Sequence, residues 1–215
     1  MTRTYFLTGI DTDAGKTYAT AFMARKFMDQ GYKVITQKFI QTGCTDSSED
    51  IVKHRALLGM SMQAEDLDHT TAPIIFTYPA SAQLAARLDG REIDLSIVDA
   101  ATERLHATND IVIIEGAGGL MVPITDTFFT IDYIATRRLP VILTTNGVLG
   151  SINHTILSLE AIAARGLQLP YVVYNHHFDT DEVIAADTYG FICRYLGTHF
   201  PDTRVVDLPS ITTHI

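Results

Sequence analysis

Short apolar, β-branched runs recur along the chain, separated by longer stretches in which apolar residues return every three or four positions. Residues 5–8, 34–37, 111–115, 141–145 and 171–175 predict strands, with 205–208 a candidate sixth. Helices are predicted over 16–30, 49–58, 82–88, 95–107, 130–137, 152–165 and 181–196, and Gly31 and Gly166 are placed to end two of them. Strands that alternate with helices in this way pair in parallel. Their nearly continuous apolar character, as in Ile111-Val112-Ile113-Ile114, fits strands covered by helices on both faces. No repeat, low-complexity segment or linker interrupts the pattern. The expected fold is therefore a single α/β domain over residues 1–215, doubly wound around a mostly parallel sheet. Ligands of such sheets sit beyond the carboxyl ends of the strands. The polar motifs fall there: 9–17 after the first strand, 38–43 after the second, 115–119 after the third, 146–153 after the fourth, and Asn175-His176 after the fifth.

Composition narrows the class without changing the fold. With 47% hydrophobic residues in 215, the chain has enough apolar material for a core that needs no disulfide or metal. Cys44 and Cys193 have neither pairing nor ligand spacing, which points to a reducing cytoplasm. The formal net charge of −9, with no Lys/Arg cluster to interrupt it, argues against a nucleic-acid partner. No apolar run approaches the roughly 20 residues that cross a bilayer. The opening residues lack the basic-then-apolar pattern of an export signal, so neither membrane nor secretion is expected.

The chemistry starts at Gly9, where G-I-D-T-D-A-G-K-T lies between a predicted strand and a predicted helix. A Gly-rich turn at that junction aims backbone N–H groups and the positive helix end at one point, and Lys16 adds a charge and Thr17 a hydroxyl suited to Mg²⁺. This is a P-loop NTPase-like phosphate site for a nucleoside triphosphate. It is a deviant one, because five residues separate Gly9 from Gly15. Glu115, opening E-G-A-G-G at the end of a buried strand, suits a Mg²⁺ ion that takes one or two carboxylates plus phosphate oxygens. Asp50 could complete that set or could cap the helix it begins. Lys38 is either a solvated side chain or a second cation facing a transferred phosphoryl group. Thr42 and Gly43, on the same loop, fit substrate binding or plain turn chemistry. In L-G-S-I-N-H-T, residues 149–155, Ser151 is a candidate N-cap whose helix end could hold a carboxylate, although every helix has such an end. His176-His177 invites a zinc reading that fails. Adjacent histidines on an extended segment point apart, and no third ligand has useful spacing.

Taken together, the 9–17 loop, Lys38 with Thr42-Gly43, E-G-A-G-G followed by Pro123, L-G-S-I-N-H and Asn175 at a strand end resemble the dethiobiotin synthetases over nearly the whole chain. The five-residue loop spacing and L-G-S-I-N-H are the most specific pieces. The resemblance implies a Mg²⁺- and ATP-dependent ring closure. In it 7,8-diaminopelargonate is carbamylated by CO₂ (from bicarbonate), phosphorylated by ATP and closed by its second amine to dethiobiotin, ADP and phosphate. It implies Lys38 as the catalytic lysine, Lys16 on the β- and γ-phosphates, and Thr17, Asp50 and Glu115 as Mg²⁺ ligands. Further nucleotide contacts would come from Asp13, Ala14, Gly15, Tyr18, Gly116, Ala117 and Gly118. Asn175 would read the adenine, with His176 beside it and Pro209, Ser210 and Ile211 closing over the base. Thr12 and Asp13 would lie near the substrate amines and Thr42 against the substrate. Gly150, Ser151, Ile152 and Asn153 would hold its far carboxylate across the interface of a homodimer.

Three departures bear on these roles. Phe39 replaces the proline that usually follows the catalytic lysine, Asp13 stands where a longer glutamate is frequent, and Pro79-Ala80-Ser81-Ala82-Gln83 lacks the second proline and the histidine of the family's P-x-S-P-H, leaving Ser81 a bare candidate. A rival class, the partner-switching P-loop ATPases, carries a lysine early in the loop, where this chain has Gly9-Ile10-Asp11. An amidating ATPase would need a further glutamine-hydrolysing domain that 215 residues do not accommodate.

Overall fold

The computed structural model describes residues 2–210. Six strands form one sheet: β1 (Arg3–Gly9), β2 (Val34–Lys38), β5 (Ile111–Gly119), β6 (Val141–Asn146), β7 (Tyr171–Asn175) and β8 (Arg204–Leu208). Their spatial order is β2-β5-β1-β6-β7-β8 and every pairing is parallel, as the alternation of strands and helices requires. The candidate strand near 205–208 forms one edge of the sheet and β2 the other. Two-residue strands β3 (Gln41–Thr42) and β4 (Ile75–Phe76) make a separate parallel pair.

Alternation within each buried strand divides the core between two faces. Tyr5, Leu7, Ile111, Ile113, Ile142 and Val173 pack against α1 (Lys16–Met28) and α2 (Glu49–Leu58) through Ala19, Met23, Phe27 and Leu58. Phe6, Val112, Ile114, Leu143 and Val172 face the other way. There they meet α4 (Ala82–Leu88), α5 (Ser96–His106), α6 (Thr130–Thr136), α7 (Ser151–Ala164) and α8 (Glu182–His199). The chain is thus wound on both faces. A short helix, α3 (Ala64–Leu67), links α2 to β4, and a 3₁₀ turn spans His176–Phe178.

β5 runs on to Gly119, beyond the end at 115 that its apolar residues predict. Gly116 allows this, because a Cβ there would lie 2.9 Å from the Phe6 ring and drive β5 off β1. The consequence is functional. Lys38 and Glu115 end as register neighbours on β2 and β5, and both open toward the loop that leaves β1.

Candidate functional site

The loop from β1 to α1 turns at Gly15, whose φ of 87° is left-handed and whose added Cβ would strike the Asn175 side-chain amide. Behind that turn the Lys16 ammonium donates to the carbonyls of Asp11 (3.0 Å) and Thr12 (2.8 Å), which seats it inside the curve of the loop. Burial, and then repulsion from Lys38, lower its pKa to about 8.

α2 supplies the opposite wall. Its N-cap is Ser48, whose hydroxyl accepts the Ile51 N–H, so capping is not the work of Asp50. The Asp50 carboxylate turns into the site instead: Oδ1 accepts from the Thr17 hydroxyl at 2.9 Å and Oδ2 pairs with Lys38 Nζ at 2.5 Å. Glu115 Oε1 accepts from Lys38 Nζ at 2.8 Å and from Thr17 at 3.2 Å, and Lys38 Nζ also donates to the Gly116 carbonyl at 3.2 Å. Burial works against charge on both partners. For Glu115, Lys38 and His54 outweigh it and hold the carboxyl well below its usual range. For Lys38, Glu115 and Asp50 outweigh it and raise the ammonium pKa, so the pair is fully ionised at neutral pH.

This donor set suits Mg²⁺. Two carboxylates converge on one hydroxyl, all hard oxygens, with Thr17 Oγ1 within hydrogen-bond distance of both Asp50 and Glu115, while no cluster of three or more His, Cys, Asp or Glu residues fit to hold a metal by itself occurs among the described residues. An ion here would have to draw its remaining ligands from phosphate and water, as Mg²⁺ does.

These residues line a cleft of about 600 Å³ over the carboxyl ends of the strands. Thr12, Asp13, Tyr18, Thr42, Ala117 and Gly118 line it as well, as do Asn175 and Pro209 at its far end. Ala14 is buried behind the loop, where its carbonyl accepts from the Asn175 amide at 3.3 Å. The same amide's oxygen accepts the His177 N–H, so both ends of Asn175 are engaged within the protein. Phe39 explains its own departure from proline: its N–H donates to the Glu115 carbonyl at 2.8 Å, and its buried ring packs on Phe6 and Tyr133. Ser81 precedes α4 and makes no side-chain cap.

Several expected positions differ. His176 does not line the cleft; the 3₁₀ turn rotates it outward, and His177 and Phe178 line the cleft in its place. Ser210 is exposed at the rim, 3.5 Å from His177, and Ile211 lies outside the described residues. Ser151 is not an N-cap. Gly150, with φ 100°, holds that position, and Ser151 is buried in the first turn of α7, bonded to Asn146 at 2.5 Å. Gly150, Ser151, Ile152 and Asn153 all lie off the cleft, next to exposed Val148 and Leu149. Sequence reasoning passed over Ile40, Gln41 and Leu208 in the lining and His54 behind Glu115. The spacing of Asp50 and His54, one helical turn apart, was the available signal for the last.

His176 is held by Asp179 at 2.6 Å and Asp207 at 3.1 Å, against Tyr174 and Tyr189. Burial alone would lower its pKa, but the two carboxylates outweigh that and raise it above 6.5. A raised folded pKa contributes stability that is complete below the unfolded value and lost as pH rises through the folded one. His176→Gln should therefore be less stable than the parent near pH 6.5, and the gap should narrow as pH rises above that value through the folded pKa. Urea melts across that range check it, and a gap that does not change with pH would refute it.

The sheet order, the glycine turn after β1 and the lysine–hydroxyl–carboxylate cluster beyond it define a P-loop enzyme. A family model described as an AAA domain matches residues 3–210. The ATP-dependent dethiobiotin synthetase BioD 2 of Pasteurella multocida is 45% identical, covering 98% of this chain and all of that one, and the Chlorobaculum tepidum synthetase is 46% identical over 94% of this chain and 85% of its own. The chain belongs to the dethiobiotin synthetase family. Among solved structures, pNOB8 ParA bound to nonspecific DNA superposes with a TM-score of 0.56 at 15% identity, covering 96% of this chain and 79% of that one, a likeness of fold alone.

Proposed function

We propose that the protein is a dethiobiotin synthetase that uses Mg-ATP to close the ureido ring on 7,8-diaminopelargonate. One amine adds to CO₂ and loses a proton, giving a carbamate. A carbamate oxygen attacks the γ-phosphorus and ADP leaves. The second amine then attacks the carbonyl carbon of the carbamic-phosphoric anhydride, phosphate leaves, and the nitrogen gives up its proton as the ring forms. The observation that carries this reading is the convergence of two lysines from separate strand ends with Thr17, Asp50 and Glu115 in one cleft, on a chain of this family.

In this reading Lys16 and the N–H groups of α1 bind the β- and γ-phosphates, and Mg²⁺ held by Thr17, Asp50 and Glu115 would neutralise phosphate charge. Lys38 orients the carbamate and offsets the charge that develops on the transferred group. Thr12, Asp13 and Thr42 face the diamine, and Asn175, His177, Phe178 and Pro209 enclose the base. Residues 150–153 bind the far carboxylate of a substrate seated in the neighbouring subunit of a homodimer. Their position off the cleft, beside exposed Val148 and Leu149, suits that arrangement. The working compartment is the cytoplasm, without nucleic-acid or membrane partners; among the described residues no helix is long and apolar enough to cross a membrane.

The deciding experiment is ADP release with diaminopelargonate, bicarbonate and Mg-ATP, each omitted in turn. Turnover should be slow with ATP alone and rise strongly only when diamine and bicarbonate are both present, because the carbamate is the phosphoryl acceptor. Equal turnover without the diamine would reject the synthetase reading in favour of a partner-switching ATPase.

A further inference from the structure

Behind the carboxylate cluster lies a second layer of polar groups, closed to solvent, that the reaction just described does not use. His54 is fully buried, one helical turn after Asp50 on α2. Its Nε2 lies 2.7 Å from Glu115 Oε2, the oxygen that Thr17 and Lys38 leave free, and its Nδ1 lies 3.1 Å from the Thr36 hydroxyl on β2. Thr36 Oγ1 also accepts from Arg55 Nη1 at 2.9 Å. Arg55 in turn is gripped by Asp66 through two bonds of 2.8 and 2.7 Å, and Asp66 accepts from Thr71 at 2.8 Å. The ring of contacts closes where the Lys38 N–H donates to the Thr71 carbonyl at 2.7 Å.

Proton counting fixes the direction of the chain. Arg55 can only donate, so Thr36 uses a lone pair for it and must place its own hydrogen on an acceptor. The acceptor within reach is His54 Nδ1. His54 therefore carries its proton on Nε2 and donates it to Glu115. Reversing the imidazole would leave a buried hydroxyl hydrogen unpaired and set two lone pairs against each other at Glu115, which buried polar networks avoid.

We infer that His54 is a positioning residue, fixed as its Nε2–H tautomer by the Arg55–Thr36 pair, whose bond to Oε2 aims Oε1 of Glu115 at Thr17 and Lys38. The inference rests on the proposed Mg²⁺-nucleotide role of Glu115. It gives Arg55, Thr36 and Asp66 a shared purpose that their burial alone does not explain. Groups that orient a metal-binding carboxylate from behind commonly change metal affinity or activity ten- to a hundredfold when removed.

The first test needs neither metal nor nucleotide. A long-range ¹H–¹⁵N spectrum of the metal-free protein should show a ring proton on Nε2, and none on Nδ1, in a signal that disappears in His54→Gln. A proton on Nδ1, or on both nitrogens, overturns the inference. The second test is kinetic. His54→Leu should raise half-saturating Mg²⁺ or lower kcat by about tenfold or more, and His54→Gln, which keeps a donor toward Glu115, should recover part of the loss. Thr36→Val should act in the same direction and Thr36→Ser should rescue it, and this pair decides the matter if His54→Leu does not fold. A folded Thr36→Val with the parent's kcat and Mg²⁺ dependence overturns the relay. Failure of the underlying reading would look different, as parent turnover indifferent to Mg²⁺.

Discussion

Lys38→Gln is expected to lower turnover by about tenfold to a hundredfold or more, because each charge-assisted contact to a developing anion is worth roughly 1.5–3 kcal/mol and the effect grows when that charge appears in the transition state. The environment of Lys38 adds a second, opposing effect. Its ammonium shares Asp50 and Glu115 with the proposed Mg²⁺ site, so removing it leaves two carboxylates facing one another with less neutralising charge. Mg²⁺ should then bind at least as tightly as before while kcat falls. A lysine with only a structural part would give the reverse pattern, a lower melting temperature with kcat intact below the transition. Steady-state kinetics at several Mg²⁺ concentrations, with a thermal melt alongside, separate the two, and near-parental kcat in a folded variant would remove Lys38 from the reaction.

The large sheet was legible because its central strands are buried on both faces and read as nearly unbroken apolar runs, and the helices between them because their apolar residues return every three or four positions. The β3–β4 pair was not legible. Two residues per strand carry no periodicity, and what joins them is tertiary pairing. The phosphate loop, Lys38 and Glu115 could be found since each lies at or just beyond the end of a predicted apolar strand, where α/β sheets keep their chemistry. Asp50 stayed ambiguous until Ser48 proved to be the cap. The place of His176 beside the adenine came from the family resemblance alone, and the local sequence did not announce the 3₁₀ turn at His176–Phe178 that brings His177 and Phe178 to the cleft instead. The Arg55–Asp66 grip and the Thr36 contact join residues from different elements, with nothing local to announce them.

Glu115→Gln should be the most damaging single change to the site. Glu115 is 1% exposed and accepts from Lys38, Thr17 and His54, so the substitution keeps the shape while removing the charge that balances a buried ammonium. Breaking a buried pair from one side typically costs about 3–5 kcal/mol. The loss should fall near the lower end of that range, since Asp50 still holds Lys38. Turnover should fall further than in Lys38→Gln, because the proposed ion loses its innermost protein ligand, and excess Mg²⁺ should restore little of it. The pH dependence follows from the depressed pKa of Glu115: its contribution is complete above the ordinary carboxyl value of 4.5 and is lost only as pH falls through the lower folded value. Urea unfolding should therefore show a constant gap between parent and variant from neutral pH down to about 4.5, narrowing only in stronger acid. A variant as stable as the parent at neutral pH would mean that the charge of Glu115 is not what holds Lys38 in place. A gap already closing near neutrality would assign the difference to a group other than Glu115, since a carboxyl whose folded pKa lies below 4.5 takes up no proton there.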